Sequence, residues 1–321
     1  MKEIALLGEG MIELNGKIFG EMQQTHGGDT LNTAVYLARA NNFILNSSIK
    51  ISYVTALGND PISRGMIERW NDEGIDTQLT LIDKGRKPGL YMVRLDRNGE
   101  REFLYWRGES AARYMFQHPE FQEVTHKLSH VDFFYFSGVS LAVLPGSDRD
   151  RLIDLVRNLK KEGVCVIFDS NYRPSLWEQQ AASNEEVKLA YTDVYSQTDI
   201  ALVTFDDEQL LWQDGSPQKT FERIKKLGVG SVIVKMGRLG CLMESLKGKL
   251  EVISARKVAR VTDTTAAGDS FNGGFLSAYL EGLNVQDACK RGNLFAGIVI
   301  QHPGAIVPRH DFEHHYYSEN K

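Results

Sequence analysis

Beyond residue 130 the chain repeats one pattern, a short continuous apolar run followed by a longer amphipathic stretch. The apolar runs lie near 132–137, 164–169, 200–204 and 231–236, with helical periodicity near 147–161, 185–196 and 218–227 between them. Continuous apolar runs suit strands covered on both faces, and parallel strands need a crossover segment to return. The pattern therefore predicts an α/β fold: an open, mostly parallel sheet with helices on both faces. The N-terminal part joins it. "EIALLG" (3–8) and "ISYVTALG" (51–58) read as strands, and "TLNTAVYLARA" (30–40) reads as a helix with Leu31, Val35 and Ala38 on one face. "PISRGMIERWNDEG" (61–74) opens with Pro61 and closes on Gly74, the expected asymmetry of a helix.

Two segments interrupt the pattern. "MIELNGKIFG" (11–20) carries the Asn15-Gly16 pair of a tight hairpin, and "GLYMVRLDRNGEREFLYW" (89–106) is two alternating runs around "RNGE" at 97–100. They predict a small antiparallel β-sheet lid made of 11–29 and 86–107, inserted discontinuously into an α/β domain of 1–10, 30–85 and 108–321. Such a lid would cover the carboxyl ends of the parallel strands, where open α/β sheets bind ligands.

With 321 residues, 42% hydrophobic and 25% charged, the chain is an ordinary globular one. No window approaches the roughly 18 consecutive apolar residues of a membrane span, and the N-terminus lacks a signal-peptide pattern. A cytoplasmic protein without a membrane partner is expected. A formal charge of -5 argues against nucleic acid as a partner. Cys165, Cys241 and Cys289 are odd in number and apolar in setting, so they read as core thiols.

The stretch most pointed towards chemistry is "DTTAAGDSFNGGFLSAYL" (263–280). Phe271, Phe275, Ala278 and Tyr279 recur at helical spacing, yet Gly273 and Gly274 sit in the first turns, where each costs about 1 kcal/mol relative to Ala. Either another backbone comes close there, or a ligand sits on the helix N-terminus. Unpaired N–H groups at Ala266, Ala267 and Gly268 would form an anion site. Asp269 beside it could take the proton of a hydroxyl attacking a phosphorus. The plainer alternative is that Asp263 or Asp269 caps the helix. "GEGMIE" after the first strand hints at a dinucleotide-binding oxidoreductase, but Glu13 stands where the third glycine belongs and no helix pattern follows.

"DTTAAGDSFNGGF" resembles the second signature of the ribokinase-like (PfkB) family of carbohydrate kinases, and "GGDTLNTAVYLARA" (27–40) resembles the first, a Gly-Gly-x-x-x-Asn sugar-binding segment. Within that family, "GEGMIELN", "VTALGND", "GLYMVRLDRNGEREFLYWR", "FDSNYRPSLW" and "HPGAIVPR" look like the branch acting on 2-keto-3-deoxygluconate. The resemblance implies a ribokinase-like fold and ATP-dependent phosphorylation of the C6 hydroxyl of that sugar acid. Asp269 would be the base, with Ala266, Ala267 and Gly268 as the anion hole. Thr264 and Thr265 would lie near the nucleotide phosphates, Lys235, Gly237 and Gly240 of "KMGRLG" beside the nucleotide, and Asn293 near the adenine. Asn171 is assigned to the nucleotide as well. Gly27, Gly28 and Asn32 would contact sugar hydroxyls, joined by Tyr91, Tyr105, Arg107 and Arg173.

Period-2 counting puts Tyr91 on one face of its strand and Tyr105 with Arg107 on one face of the next. Arg173 follows a buried strand, at the end that faces the crevice. Arginine suits a carboxylate because its planar fork makes two parallel bonds, so Arg107 and Arg173 favour a sugar acid over a neutral sugar. Mg2+ is expected to be bound chiefly by phosphates and water. The family's Asn-x-x-Glu is altered to "FDDE" (205–208), which keeps Glu208 but has Phe205 at the Asn position, so the metal ligands are unassigned, with Asp206 or Asp207 as substitutes. "HDFEHHYY" (310–317) reads as a polar tail. The alternatives are a fructokinase or related sugar kinase, and a non-catalytic sugar-binding regulator, against which the presence of Asp269 counts. A homo-oligomer is expected through the uncovered sheet.

Overall fold

The computed structural model describes residues 1–43, 49–95 and 101–319. Its strands are β1 (Lys2–Leu7), β2 (Met11–Gly16), β3 (Met22–Gly27), β4 (Ile49–Gly58), β5 (Thr80–Asp83), β6 (Gly89–Leu95), β7 (Arg101–Trp106), β8 (Phe133–Ser137), β9 (Cys165–Asp169), β10 (Ile200–Thr204), β11 (Ser231–Lys235), β12 (Cys241–Glu244) and β13 (Leu250–Ile253). Nine of them form one sheet in the order β13-β12-β11-β10-β9-β8-β1-β4-β5. Pairing is parallel throughout except at β11–β12 and β12–β13. The alternation read from the sequence is thus the sheet itself.

Successive side chains of a strand point to opposite faces, and here each face has its own core. Ala5 and Leu7 of β1, Phe134 and Phe136 of β8, and Ala201 and Val203 of β10 face one core, together with Leu152, Val156, Val194 and Ile224 from the helices Gly146–Lys161, Asn184–Gln197 and Pro217–Lys226. Ile4 and Leu6, Tyr135, and Ile200 and Leu202 face the other, against the helices Asp29–Phe43 and Ala267–Leu280. On this second face the glycine pair is explained. A methyl on Gly273 would sit 2.7 Å from Tyr36 Cβ and 3.0 Å from Leu37 N, and one on Gly274 would sit 2.8 Å from Arg291 O. The helix gives up local propensity so that two neighbouring helices approach its backbone.

The small second sheet has the order β3-β2-β6-β7. It is two antiparallel hairpins joined by parallel pairing of β2 with β6. The expected tight turn at Asn15-Gly16 is not there: both residues stay in β2, opposite Gln23 and Met22, and the chain reverses through 17–21, where Gly20 N–H donates to Lys17 O at 2.8 Å. Six residue pairs form this way, where a turn at 15–16 would allow four within 11–20, and a longer loop costs little closure entropy. The expected turn at 97–100 lies outside the described residues. The expected polar tail is a helix, Arg309–Glu319, docked by Phe312, which is fully buried with its ring 5.3 Å from Tyr36 and 4.9 Å from Phe295. One buried aromatic anchors a segment whose average composition is polar. Among the described residues, no helix is long and apolar enough to cross a membrane.

Candidate functional site

The carboxyl ends of β1, β8, β9, β10 and β11 open into a crevice beneath the small sheet. Glu9, Val139, Asp169, Thr204 and Lys235 reach it from the large sheet, and Met11, Tyr91, Phe103, Tyr105 and Arg107 from the small one. Gly28, Asp29 and Asn32 enter at the start of helix Asp29–Phe43, and 264–269 at the start of helix Ala267–Leu280. Its volume is about 520 Å3. A second cavity of about 630 Å3 lies beside it, lined by Gly237, Gly240, Val258, Val261, Phe271, Asn293, Ala296, Gly297 and Ile300. The two meet at Thr204, Lys235, Thr264, Ala267 and Gly268. A helix N-terminus therefore sits where contents of the two cavities would touch.

The cavities differ in charge. Five carboxylates line the crevice (Glu9, Asp29, Asp169, Asp207 and Asp269) against Arg107, Arg173 and Lys235. The groove has Lys235, Arg238, Arg256 and Lys257 and, among the described residues, no carboxylate. Cations with an apolar floor suit a polyphosphate attached to a flat ring, and acceptors suit a polyol.

Asp269 lies in the first turn of its helix. Its Oδ2 accepts from Asn32 Nδ2 at 2.8 Å, and its backbone carbonyl accepts from Thr33 Oγ1 at 3.2 Å. Burial, with the carboxylates of Asp29 and Asp169 nearby, pushes its pKa up to about 8 against the opposing pull of Asn32 and Lys235. Burial likewise raises Asp29, whose Oδ2 accepts from Asn171 Nδ2 at 2.7 Å. Behind them a buried network joins three elements: Lys235 Nζ donates to Asn272 Oδ1 at 3.0 Å and to Asp169 at 3.4 Å, while Asn272 Nδ2 donates to Asp169 at 2.7 Å.

The anion hole differs in one member from expectation. Ala266 is left-handed, φ 58°, and this turn returns the Ala267 N–H to Thr264 O at 3.2 Å. The N–H groups of Ala266 and Gly268 keep no partner among the described residues. Thr265 is held by Asp263, whose Oδ1 accepts from its hydroxyl at 2.8 Å and its N–H at 3.0 Å; Oδ2 accepts from Gly304 N–H at 2.6 Å. Asp263 thus fastens the loop rather than capping a helix.

Tyr91 and Arg107 are committed within the protein. The Tyr91 hydroxyl donates to Glu13, and Arg107, 8% exposed, is bonded to Glu9 through both Nη2 and Nε, the latter at 2.8 Å. Arg107 is neither a solvated surface charge nor a free cation awaiting a carboxylate, because Glu9, on the connection between β1 and β2, pairs with it. Tyr105 stays 45% exposed in the crevice. Arg173 is half exposed, donating from Nη1 to Tyr172 O at 2.9 Å and to Asp207 at 3.1 Å. Gly27 abuts the Tyr91 hydroxyl, and Gly28, φ 153°, leaves no room for a Cβ against Glu9 O.

On the other side, Gly237 (φ 52°) and Gly240 (φ 95°) shape the groove wall. Asn293 lines it too, but its amide is used structurally, donating to Ile253 O at 3.0 Å and Ser254 O at 3.2 Å. Asn171, assigned from sequence to the nucleotide, lines the crevice and not the groove. Glu208 lies against neither cavity. It is buried behind β10, where it accepts from Tyr195 and Arg223 at 2.6 Å each. Of "FDDE", only Asp207 reaches the crevice. Among the described residues no group of three or more His, Cys, Asp or Glu could hold a metal ion. Glu9, Asp29, Asp169 and Asn272 escaped the sequence reading, although the Asp29-x-x-Asn32 spacing puts both on one helix face.

The pfkB family carbohydrate kinase model matches residues 1–311. The chain belongs to that family. Among curated relatives of this pfkB chain, the 2-dehydro-3-deoxygluconokinase of Haemophilus influenzae is 48% identical over 98% of both chains. The enzyme of the same name from Escherichia coli K12 is 43% identical over 96% of this chain and 98% of its own. The apo structure of a putative Ribokinase II from E. coli superposes with a TM-score of 0.81 at 20% identity, covering 99% of this chain and 100% of that one, a likeness of fold.

Proposed function

We propose that this pfkB kinase transfers the γ-phosphoryl group of ATP to the C6 hydroxyl of 2-keto-3-deoxygluconate, the sugar acid also called 2-dehydro-3-deoxygluconate. The observation that carries this reading is the meeting of an acceptor-rich crevice and a cationic groove at one helix N-terminus, beside Asp269. The sugar acid occupies the crevice and ATP the groove. The N–H groups of Ala266 and Gly268, with Lys235 beside them, stabilise charge on the transferring group. Asp269 receives the proton of the attacking hydroxyl, and a base with a pKa of about 8 suits reaction near neutral pH.

Thr264 borders both cavities, next to the phosphates, and Gly27, Gly28, Asn32 and Tyr105 surround the sugar. Arg173 is the arginine with exposed surface in the crevice, and it takes the substrate carboxylate. Mg2+ would enter on the nucleotide phosphates, with Asp207 as the nearest carboxylate of "FDDE" to the crevice. Segments 11–29 and 86–107 act as a lid that excludes water during transfer. Hydrogen exchange in 101–106 should slow at saturating sugar, and unchanged protection would remove the lid from the scheme. The homo-oligomer forms along the same sheet, where Trp106 on β7 and Phe19 on the β2–β3 loop are exposed, and the enzyme acts in the cytoplasm.

A coupled phosphorylation assay across sugar acids and neutral sugars tests the assignment. Turnover of 2-keto-3-deoxygluconate well above that of fructose is expected. Preference for fructose would make the protein a neutral-sugar kinase.

A further inference from the structure

Lys235 reaches the junction of the two cavities out of a buried network. Lys235 and Asp169 end β11 and β9 and are 6% and 3% exposed, and Lys235 Nζ stands 3.4 Å from both oxygens of the Asp169 carboxylate. Asn272, fully buried, bonds to both: its Oδ1 accepts from Lys235 at 3.0 Å and its Nδ2 donates to Asp169 Oδ2 at 2.7 Å. The Asn171 N–H donates to Asp169 Oδ1 at 3.3 Å, and Asn272 Nδ2 also donates to the Tyr135 hydroxyl at 3.0 Å. A buried ion pair adds little stability over an apolar pair of similar volume, so this one calls for a reason other than folding. Among the described residues, Lys235 is the cation common to the crevice and the groove, and a methyl on Gly268 would sit 3.5 Å from its Nζ.

We propose that Asp169 is a positioning residue for phosphoryl transfer: together with Asn272 it holds the Lys235 ammonium at the start of helix Ala267–Leu280, against the group in transit. The inference rests on the transfer reading above and adds what aims its cation. A lysine ammonium is a point charge on a flexible four-carbon stem, so its place is set by the groups around it. At 3.4 Å the contacts to Asp169 are long for hydrogen bonds. The carboxylate therefore holds the ammonium by charge, while Asn272 supplies the shorter, directional contact. The same counter-charge keeps Lys235 off the base. Lys235 lies close enough to Asp269 to pull its pKa down, and direct pairing of the two would make Asp269 a poorer proton acceptor.

The test is a double-mutant cycle on Asp169→Asn and Lys235→Met, with kcat and the KM values for sugar and ATP measured for each variant. Misplacing a group at the reacting centre by about 1 Å can cost about 10^2-fold in rate. Asp169→Asn should lower kcat by about that factor and leave both KM values close to the parent's. In the Lys235→Met background the same change should alter kcat by no more than about twofold, because no ammonium remains to be aimed. Equal losses in the two backgrounds would overturn the proposal. A rise in the Mg2+ concentration at half-maximal rate would also overturn it, by making Asp169 a metal contact. If either variant does not fold, Asn272→Ala, which leaves both charges in place, should show a smaller loss in kcat with both KM values held, and a parental kcat would overturn the proposal. If the parent does not accept 2-keto-3-deoxygluconate, the proposed substrate falls alone, and the cycle runs unchanged on the sugar it does accept, since Asp169 and Lys235 act on the phosphoryl group.

Discussion

The two cavities are neighbours built on opposite principles. The crevice is made of charged side chains delivered by strand ends of two sheets and the starts of two helices, and most of them are tied to one another: Glu9 to Arg107, Glu13 to Tyr91, Asp29 to Asn171, Asn32 to Asp269, Arg173 to Asp207. The groove is made of glycines, small apolar residues and cations. Buried charges are tolerated only when paired, and a fully paired network is rigid. On the proposed function, selectivity for one sugar belongs to the crevice, where each side chain constrains the next. A shape-defined groove with cations suits a common nucleotide and depends less on any single side chain. Substitutions in the crevice should be sharp and coupled, those in the groove mild and separable.

The largest break should come at the junction. Asp269→Asn is nearly isosteric, and kcat should fall by at least about 10^2-fold while ATP affinity in equilibrium binding stays within twofold or so of the parent. Turnover near the parent's would remove the base from the mechanism. If Asp269 is the base, its reactive form is the carboxylate, so kcat/KM should rise with pH, be half-maximal near pH 8 and level off above it. After burial, the Asp29 charge is the leading cause of that raised value, so Asp29→Asn should move the rising limb to lower pH. An unmoved limb would mean that the two carboxylates are not coupled.

The two arginines divide the crevice more finely. Arg107→Ala strands Glu9 as a buried, unpaired charge, which costs about 3 kcal/mol. A clear drop in melting temperature is expected, with activity reduced on acid and neutral sugars alike. Arg173→Ala should melt near the parent and lose about 10- to 150-fold in kcat/KM on the sugar acid only. Equal losses on fructose would return Arg173 to a structural role beside Asp207. The smallest effect belongs to the groove. Asn293→Ala removes two neutral hydrogen bonds to carbonyls, each worth about 1 kcal/mol, so KM for ATP should rise by about tenfold or less while KM for the sugar is unchanged. A matching rise in sugar KM would erase the distinction between the cavities.

Much of this contrast was legible in the residues, unevenly. Asp269 and the Ala-Ala-Gly turn before it stand in one contiguous string, so local chemistry and the family resemblance both marked them. Asn171, assigned to the nucleotide, has its amide in the crevice on Asp29: its position at the end of β9 was legible, but the direction of its amide depends on Asp29, far away in sequence. Glu208 illustrates the same limit: a single residue, about 100° of helix rotation, separates Asp207, facing the crevice, from Glu208, facing Arg223. At Asn15-Gly16 a favourable local turn lost to a longer strand ladder.

By itself, the sequence determined the α/β alternation, the two inserted hairpins and the helix that carries Asp269, since hydrophobic period, turn residues and capping act over a few positions. The tertiary structure alone decided which charges are spoken for. Arg107 and Arg173 look alike in the chain, yet one is buried on Glu9 and the other opens to the crevice. The glycines at 273 and 274 read as a local cost until the helices bearing Tyr36 and Arg291 come to lie against them. Pair energies and close approach depend on distances between residues remote in sequence, and folding alone brings those within reach.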